Sequence, residues 1–360
     1  MLKLIHGADF HLDSPFSGLT PDRAAQRRGE QRLLLEALAR LAKDRQADLV
    51  LLSGDLFDSE QVYRETLRAM MTALQEIPCP VFIAPGNHDF YGESSPYARL
   101  SWPDNVHIFT SDKITGFALK ELNCTVWGRA FLGPHDSASP LAGFAAPADG
   151  QTHLMALHGA VGPASDYGPI SPEEIAASGL AYLALGHVHK YSGLQKAGGT
   201  FWAYPGCPEG RGFDETGLKG VICAQVDGGE VREEFVPLCR RRYEIVTADI
   251  TGRPPLDAIH AAVEGSAVDD IYRIILTGEG MAPNLEELTK VLAPSFYGLT
   301  LRDETRLPRD LWDRKEEDSL TGLFLRQLWE ACRQDPDNAA LQQAVRFGLA
   351  ALEHGEDPYL

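Results

Sequence analysis

Residues 84–90 read APGNHDF and follow the apolar run CPVFI, which is typical of a short buried strand. The strand therefore leads directly into Gly86 and then into Asn87, His88 and Asp89. Glycine allows a sharp turn with a positive φ, and Asn and Asp are ordinary turn residues. The same three polar side chains can also coordinate a metal or move protons. Taken alone the stretch predicts a turn, and only similar clusters elsewhere in the chain would favour a functional site.

Four other apolar runs end in residues that can bind a metal. These residues are Asp9 and His11 in GADFH, Asp55 and Asp58 in SGDLFD, His158 in ALHG, and His187 and His189 in LGHVH. In α/β sheets the carboxyl ends of strands are where sites assemble, so segments that are distant in sequence can converge. Five such strand ends are hard to explain as independent turns. The pattern predicts a metal site built from these residues and from GNHD.

The ligand types narrow the choice of metal. Aspartate, histidine and asparagine without cysteine suit manganese, iron or zinc rather than calcium. There are more good ligands than one tetrahedral set needs, which predicts two ions about 3.5–4 Å apart. A carboxylate can bridge two ions because it has two oxygens, and Asp55 is the expected bridge. Two divalent ions, with manganese preferred, are the predicted cofactors.

The pattern of apolar runs and turn residues changes along the chain and predicts three structural segments. Residues 1–240 alternate apolar runs with turn clusters, and amphipathic helices are predicted between the early runs at 25–46 and 63–77. The early order is therefore βαβαβ, an α/β pattern. Residues 241–308 read as β-α-β-α-β, a small separate α/β unit. Residues 309–360 are predicted to be an exposed charged linker followed by a tail of two helices.

The composition restricts the function. The 360-residue chain has a formal net charge of −18, which disfavours broad electrostatic binding of nucleic acid and leaves that role to local cations such as Arg23, Arg27, Arg28 and residues 240–242. Six cysteines without a CxxC pair favour a reducing cytoplasm. No apolar run is long enough to span a bilayer, and MLKLIHGADF leads directly into a strand. We therefore expect a cytoplasmic protein with no membrane segment and no signal peptide.

The ordered blocks D-x-H, G-D-x-x-D, G-N-H-D, H-G and G-H-x-H over residues 9–189 resemble the calcineurin-like metallophosphoesterase superfamily. The resemblance implies a four-layered αββα fold, in which two sheets lie between helices. It implies one metal held by Asp9, His11, Asp55 and His189, and another held by Asp55, Asn87, His158 and His187. It also implies that His88 is not a ligand. His88 would instead point at the scissile phosphate and protonate the leaving oxygen or stabilise its charge.

Other polar residues near the motifs have supporting roles in this interpretation. Asp58 resembles the family's orienting partner for His88, and such a hydrogen bond would fix the tautomer and favour the protonated ring. Some double-strand-break nucleases of the superfamily carry a histidine at that position, which leaves the role of Asp58 open. Asp89 either shapes the loop or is an ordinary turn residue. The residues assigned to structure or to the surface are His6, Asp13, His135 and His153.

Within the superfamily, GADFHLDSPF, the stretch at 204–221 and the small unit with its tail resemble the SbcD/YhaO-type DNA-repair exonucleases. That resemblance implies DNA as the substrate and a small unit that caps the active site. It implies a tail that docks on an SMC-like coiled-coil ATPase of the SbcC/YhaN type. It also implies a homodimer, for which EQVYRETLRAMMTAL is the candidate helix. The alternative is that the apolar stripe of this helix packs in the hydrophobic core of its own domain. A small-molecule or nucleotide phosphodiesterase is the alternative function. A non-enzymatic scaffold is a further alternative, which the complete ligand set disfavours.

Overall fold

The structure, a computed structural model, describes residues 1–162, 165–265, 268–335 and 338–354, without the side chains of residues 353 and 354. It divides into two compact units, of which the first is Met1–Arg242 and the second begins at Tyr243. The predicted boundary near residue 308 stays a prediction. No helix in the described ranges combines the length and the apolar content needed to cross a membrane.

The larger unit alternates strands with helices at its beginning, as the α/β pattern predicted. Its elements are β1 (Leu2–Gly7), α1 (Pro21–Arg45), β2 (Leu49–Leu52), α2 (Arg64–Glu76), β3 (Val81–Ile83), α3 (Pro96–Arg99), β4 (Val106–Ile108), β5 (Thr115–Leu119), β6 (Cys124–Gly128), β7 (Thr152–His158), β8 (Ala160–Val161), β9 (Pro169–Ile170), α4 (Pro172–Ala177), β10 (Tyr182–Gly186), β11 (Gln195–Ala197), β12 (Thr200–Ala203), β13 (Gly220–Asp227) and β14 (Glu230–Pro237). A short 3₁₀ helix, Lys120–Leu122, precedes β6.

Two six-stranded sheets organise this unit. The first has the order β14-β13-β1-β2-β3-β4, in which β1 to β4 are parallel. The second has the order β11-β12-β10-β7-β6-β5, in which β12, β10, β7 and β6 are parallel. The carboxyl ends of β1, β2 and β3 are therefore neighbours in one sheet, and those of β7 and β10 are neighbours in the other.

Buried apolar clusters define the layers of the larger unit. One cluster joins α1 and α2 to the first sheet through residues such as Leu38 and Met70. A second lies between the sheets, where Leu51 of β2 and Leu154 of β7 contribute because alternate strand residues point to the same face. A third covers the other face of the second sheet and includes Ile175 of α4. This arrangement confirms the predicted αββα sandwich.

The first helix shows how local sequence sets these boundaries. α1 begins with Pro21, earlier than predicted, because the fixed φ of proline suits the first helical position, where no N–H is needed. Leu34, Leu35 and Leu38 are buried against the first sheet. The helix stops where Gln46 adopts a left-handed conformation with φ of 50°. Its buried stripe supports the sheet from which three of the five predicted site segments emerge.

The smaller unit has its own parallel sheet and core. Its elements are β15 (Tyr243–Asp249), α5 (Pro255–Ala262), β16 (Ile271–Thr277), α6 (Leu285–Leu292), β17 (Gly298–Asp303), α7 (Leu320–Gln334) and α8 (Ala339–His354), with 3₁₀ helices at Ala293–Ser295 and Arg309–Glu316. The sheet order is β15-β16-β17, so the predicted β-α-β-α-β order is present. The segment predicted as an exposed linker is instead the second 3₁₀ helix. Its Leu311 is buried in the cluster formed with α7 and α8, because Leu311 and Trp312 give the charged run an apolar side.

Candidate metal centre

Five strand ends in the larger unit carry the predicted site residues. Asp9 and His11 follow β1, Asp55 and Asp58 follow β2, Asn87 and His88 follow β3, His158 ends β7, and His187 and His189 follow β10. Four of these residues have positive φ angles between 43° and 102°, namely Asp9, His11, Asp55 and His187. Residues other than glycine adopt such angles rarely, and strained positions of this kind cluster at functional sites.

One group of converging ligand atoms joins the two sheets. It comprises Asp9, His11 and His189, whose ligand atoms lie within 4.8 Å of one another. Nε2 of His11 is 3.2 Å from Nε2 of His189, which is itself 4.0 Å from Oδ1 of Asp9. The backbone N–H of His187 donates to Asp9 at 2.9 Å and holds the carboxylate in place. β1 and β10 thus bring three donors to one point.

A second group lies beside the first. It comprises Asp9, Asp55 and His158. Nε2 of His158 is 3.4 Å from Oδ2 of Asp55 and 3.0 Å from Oδ1 of Asn87. The same Asp55 oxygen is 3.6 Å from Nε2 of His11, so this carboxylate lies between the two groups. The ring of His187 packs against that of His158, with centroids 5.3 Å apart.

The hydrogen bonds of His158 test whether these residues fit a metal ion. Its Nδ1 lies 2.9 Å from the carbonyl oxygen of Ser53, so Nδ1 carries a proton and donates it. Its Nε2 faces the oxygens of Asp55 and Asn87, and the raised pKa of the ring places a second proton there. Two oxygens and a nitrogen thus converge on a point that requires a positive charge, and a divalent cation would take the place of this proton. A nitrogen–oxygen donor set of this kind suits a divalent transition metal.

Burial changes the charge states of the cluster. It raises the pKa of Asp9 to about 6 and lowers the pKa values of His11 and His187 to about 4. Burial also acts to lower the pKa of His158, but the nearby charge of Asp55 outweighs it and raises that pKa to about 9. His11 and His187 are therefore neutral at pH 7 and have the protonation state that metal ligation requires.

Two residues that the sequence reasoning missed support the histidine ligands. Oε1 of Glu215 accepts a hydrogen bond from Nδ1 of His189 at 2.7 Å, which leaves Nε2 of His189 facing Asp9 and His11. Arg211 donates to Glu215 at 2.8 Å and to Asp58 at 3.2 Å, so it links both carboxylates. Both residues lie in the stretch at 204–221, which contains no motif whose spacing would predict this contact.

Asp58 holds His88 through its main chain and not, as the sequence predicted, through a hydrogen bond with its carboxylate. Nδ1 of His88 lies 3.1 Å from the main-chain carbonyl oxygen of Asp58, not from its carboxylate. The carboxylate faces Ser14 at 3.0 Å, Arg211, and Nδ1 of His11 at 3.3 Å. The guanidinium and the hydroxyl attract the carboxylate away from His88. The Asp58 carboxylate thus lies behind a predicted metal ligand, while its backbone orients His88.

Asp89 has a larger structural role than an ordinary turn residue. Its carboxylate accepts hydrogen bonds from the backbone N–H groups of Asp55, Leu56, Phe57 and Gly86, and from the hydroxyl of Tyr97. It therefore joins the GNHD loop to the SGDLFD loop. Gly86 is needed for the same close approach and not for a positive φ, since a Cβ there would meet the Asp55 carboxylate and lie 2.6 Å from the Asp55 backbone nitrogen.

Of the residues assigned to structure or to the surface, three have hydrogen-bond or ion-pair partners and the fourth, His135, is on the surface. His6 is fully buried between the hydroxyl of Tyr182 and the carbonyl of Leu185. His153 pairs with Asp149 at 3.0 Å. Asp13 accepts hydrogen bonds from Tyr63 and Thr66. His135 is exposed and lines a cleft of about 700 Å³ beside Asn87 and His88, so it lies next to the site.

The family assignment follows from the fold and the site together. The sequence pattern described as "Calcineurin-like phosphoesterase" matches residues 2–191, which is more than half of the chain and includes all nine predicted site residues. The chain belongs to this family. It is thus a member of a class of hydrolytic enzymes that use divalent metals.

Three curated proteins are similar to this chain over most of its length. The "Uncharacterized metallophosphoesterase YhaO" of Bacillus subtilis is 29% identical over 88% of this chain and 81% of its own length. The SbcD component of the nuclease SbcCD, also of Bacillus subtilis, is 24% identical over 64% of this chain and 67% of its own length. The "DNA double-strand break repair protein Mre11" of Methanopyrus kandleri is 24% identical over 81% of this chain and 67% of its own length.

Proposed function

We propose that this protein hydrolyses phosphodiester bonds in DNA, as an exonuclease or endonuclease of a cytoplasmic DNA-repair complex, with two divalent ions and a preference for manganese. The observation that supports this most is the position of Asp55, whose Oδ2 lies 3.6 Å from Nε2 of His11 and 3.4 Å from Nε2 of His158. One ion would be held by Asp9, His11, Asp55 and His189, and the other by Asp55, Asn87, His158 and His187.

The proposed mechanism divides the chemistry between the ions and His88. Ions held by these residues would polarise the phosphoryl oxygens and would activate a water for the attack. His88 assists the departure of the leaving oxygen. Since Nδ1 of His88 is held at the carbonyl of Asp58, Nε2 is the nitrogen that can deliver a proton into the cleft or stabilise the charge of the leaving group.

DNA is favoured as the substrate by the names of two relatives, a nuclease component and a DNA double-strand break repair protein. The cations proposed from sequence need revision. Arg27 is fully buried and donates to Glu30 and Glu209, and Arg241 donates to Glu30. These two arginines hold the larger unit together and are not available to a DNA backbone. DNA contact would depend on the ions, on residues of the cleft and on the other arginines proposed from the sequence, which are Arg23, Arg28, Arg240 and Arg242.

Parallel assays with manganese test this function. Linear duplex DNA, single-stranded DNA and bis-p-nitrophenyl phosphate are incubated with the protein and with its His88→Ala variant as a control for contaminating nucleases. We expect hydrolysis of DNA that depends on both manganese and His88. Hydrolysis of only the small diester would contradict the DNA function, and a metal-loaded protein that cleaves none of the three would support the scaffold.

A small-molecule or nucleotide phosphodiesterase is the second candidate. Its support is the net charge of −18 and the composition of the cleft. The described residues that line the cleft include Asp58 and Glu60 but no lysine or arginine. A compact substrate needs fewer cationic contacts than a DNA backbone does. The assay above distinguishes this candidate, because only the small diester would be hydrolysed.

We extend the proposal to an SMC-like coiled-coil ATPase of the SbcC/YhaN type as a partner of the tail. The predicted apolar stripes of the tail are largely used inside the smaller unit, where Leu325 of α7 packs with Val345 and Leu349 of α8. Two leucines of α7 remain accessible, since Leu320 is 66% exposed and Leu323 is 48% exposed. Apolar residues on one helix face are a common docking element.

The partner is tested by point substitution, because truncation would remove the buried cluster as well. Leu320→Asp combined with Leu323→Asp should abolish co-purification with a co-expressed coiled-coil ATPase and leave the melting temperature unchanged. Val291→Asp, at an exposed position of α6, is the matched control. Co-purification that survives the double substitution would contradict docking through this face.

A homodimer through the candidate helix has less support. α2 buries Met70, Ala73 and Leu74 in the cluster with α1, so its apolar stripe belongs to the core of the larger unit. A dimer that uses this helix would have to rely on its more exposed residues. Sedimentation equilibrium measures the mass directly, and a concentration-independent monomer would contradict the dimer.

A further inference from the structure

Three aromatic rings in the cleft have no role in the proposed metal chemistry. The cleft of about 700 Å³ beside Asn87 and His88 is also lined by Phe90, His135 and Tyr167. A volume of this size accommodates a ligand as large as one nucleotide. Tyr167 and Phe90 are half-buried and His135 is exposed, so the rings are accessible from the cleft. Neither Tyr167 nor His135 belongs to any buried apolar cluster of the described chain.

The ring of Tyr167 is in contact with one of the candidate metal ligands. Its centroid is 5.1 Å from that of His187, with an angle of 32° between the planes, and 5.5 Å from that of His135. His187 in turn contacts His158. Tyr167 therefore lies between a predicted ligand and the exposed histidine, where a substrate held at the metal centre would meet it.

The backbone around Tyr167 is held in a defined position. The N–H of Gly168 donates to the carbonyl of Asp136 at 2.7 Å, and the N–H of Asp136 donates to the carbonyl of Asp166 at 2.8 Å. These bonds tie the segments of His135 and Tyr167 together. A segment whose backbone is fixed in advance loses little conformational entropy when a ligand binds to it.

The chemistry of the cleft favours a planar, uncharged group as the occupant next to the phosphate. Among the described residues its lining contains no lysine or arginine, and Asp58 and Glu60 contribute negative charge, so additional phosphates are not attracted there. The part of a nucleotide that suits such a surface is the base, because every base has a π-face that stacks on aromatic side chains.

We propose that Tyr167, backed by His187 and flanked by His135, is a stacking platform for the base of the nucleotide whose phosphate is hydrolysed. This inference rests on the proposed hydrolysis of DNA. A base inside a duplex is already stacked and must be extruded at a cost of a few kcal/mol. The substrate therefore presents an unpaired nucleotide to the cleft, in a single strand or at a frayed end.

The test pairs a change in the protein with a change in the substrate. Two single-stranded oligomers of equal length are used, one of thymidines and one in which every base is replaced by an abasic tetrahydrofuran unit. The protein variants are Tyr167→Leu, which removes the π-face, and Tyr167→Phe, which keeps it. Metal content is measured for each variant, because Tyr167 contacts a predicted metal ligand.

Stacking of one base is worth about 1–3 kcal/mol, which corresponds to about 5- to 150-fold in kcat/KM. Tyr167→Leu should lose this factor on the thymidine oligomer, mainly through KM, and change the abasic oligomer less than about twofold. Tyr167→Phe should resemble the unchanged protein on both. A binding measurement uses the His88→Ala variant, which does not cleave the oligonucleotide. Binding of a single-stranded oligonucleotide that contains 2-aminopurine should quench the fluorescence of this base. Adding Tyr167→Leu to the variant should remove the quenching.

Equal losses on both oligomers, or no loss on either, would overturn the platform while leaving DNA hydrolysis in place. If the unchanged protein cleaves neither oligomer nor linear duplex DNA but hydrolyses bis-p-nitrophenyl phosphate, the DNA function itself is wrong, and the proposed platform is wrong as well. The two failures are thus distinguishable within one set of assays.

Discussion

Asp55 in the larger unit and Asp249 in the smaller unit both stand at the carboxyl end of a parallel strand, β2 and β15 respectively. Asp55 is buried, and its Oδ2 lies within 3.6 Å of two histidine nitrogens. Asp249 is exposed, and its carboxylate accepts a hydrogen bond from the backbone of Thr251 at 2.8 Å in a local turn. The same residue type at the same kind of position therefore has two different uses.

The end of β17 provides a second case in the smaller unit. Asp303 accepts hydrogen bonds from Thr305 and pairs with Arg346 of α8 at 2.7 Å. Across the described residues, every group of three converging metal-competent side chains lies in the larger unit. A strand-end aspartate is thus not a metal ligand by itself. Histidines on neighbouring strands, together with burial, distinguish a metal centre from turn chemistry.

The largest expected effect comes from making the same substitution in both units. Asp55→Asn removes one negative oxygen from the position between the two groups of ligands. We expect loss of bound metal, measured by elemental analysis, and a fall in phosphodiester hydrolysis of more than about 100-fold, since residues that only orient a ligand already cost 10- to 100-fold. Asp249→Asn should change neither quantity. Normal metal content in Asp55→Asn would remove the distinction between the two aspartates.

His88→Ala separates chemistry from metal binding within the larger unit. The variant should keep its metal, because His88 lies in the cleft and its side chain is not a predicted ligand. Loss of a general acid lowers rates by about 10²- to 10⁴-fold. The loss should be smaller for diesters with good leaving groups, which need less protonation. Equal losses across a series of leaving groups would contradict the acid role and indicate positioning of the phosphate instead.

Glu215→Gln tests whether a carboxylate that is hydrogen-bonded to a histidine affects metal affinity only at the candidate metal centre. Glutamine keeps the size but weakens the hydrogen bond with Nδ1 of His189, so metal affinity should fall about 10- to 100-fold. Asp149→Asn is the matched control, because Asp149 pairs with His153 away from the candidate ligands. Isothermal titration calorimetry with manganese measures the metal affinity of both variants. Equal affinities in the two would contradict the supporting role of Glu215.

His6 predicts a smaller effect, on stability. Burial lowers its pKa from 6.5 to about 3, so the folded protein favours the neutral ring. The contribution of this group is fully present above pH 6.5 and is lost as the pH falls from 6.5 towards 3, because only the unfolded chain then binds the proton readily. Between pH 8 and pH 5 the free energy of unfolding should fall by about 2 kcal/mol from this group. Denaturant titrations at several pH values measure the free energy of unfolding. His6→Gln should remove this group's part of the pH dependence of that free energy.

Much of the architecture was predictable because it depends on periodicity. Continuous apolar runs predicted the parallel strands, and the stripe of α2 was predicted within one residue at each end. The end of α1 was also close, whereas its start was missed because Pro21 opens the helix ahead of the first apolar stripe. The 3₁₀ helix at Arg309–Glu316 was missed because most of its residues are charged, and two apolar side chains are too few to form a pattern.

The candidate site was predictable only where a strand end carries a motif. The nine motif residues stand directly after apolar runs, so topology brings them together. Glu215 and Arg211 could not be found in this way, because they do not stand directly after a strand but lie within the long loop between β12 and β13. The side-chain direction of Asp58 also depends on Arg211, a residue 153 positions away in the chain. Contacts of that kind are decided by tertiary structure and not by local spacing.

The two-ion centre can be tested directly by anomalous diffraction from crystals of the manganese-loaded protein. Two anomalous peaks about 3.5–4 Å apart are expected, with Asp55 in contact with both. One peak should lie among Asp9, His11 and His189, and the other beside His158. A single peak, or peaks elsewhere in the molecule with none at Asp55, would contradict the two-ion centre.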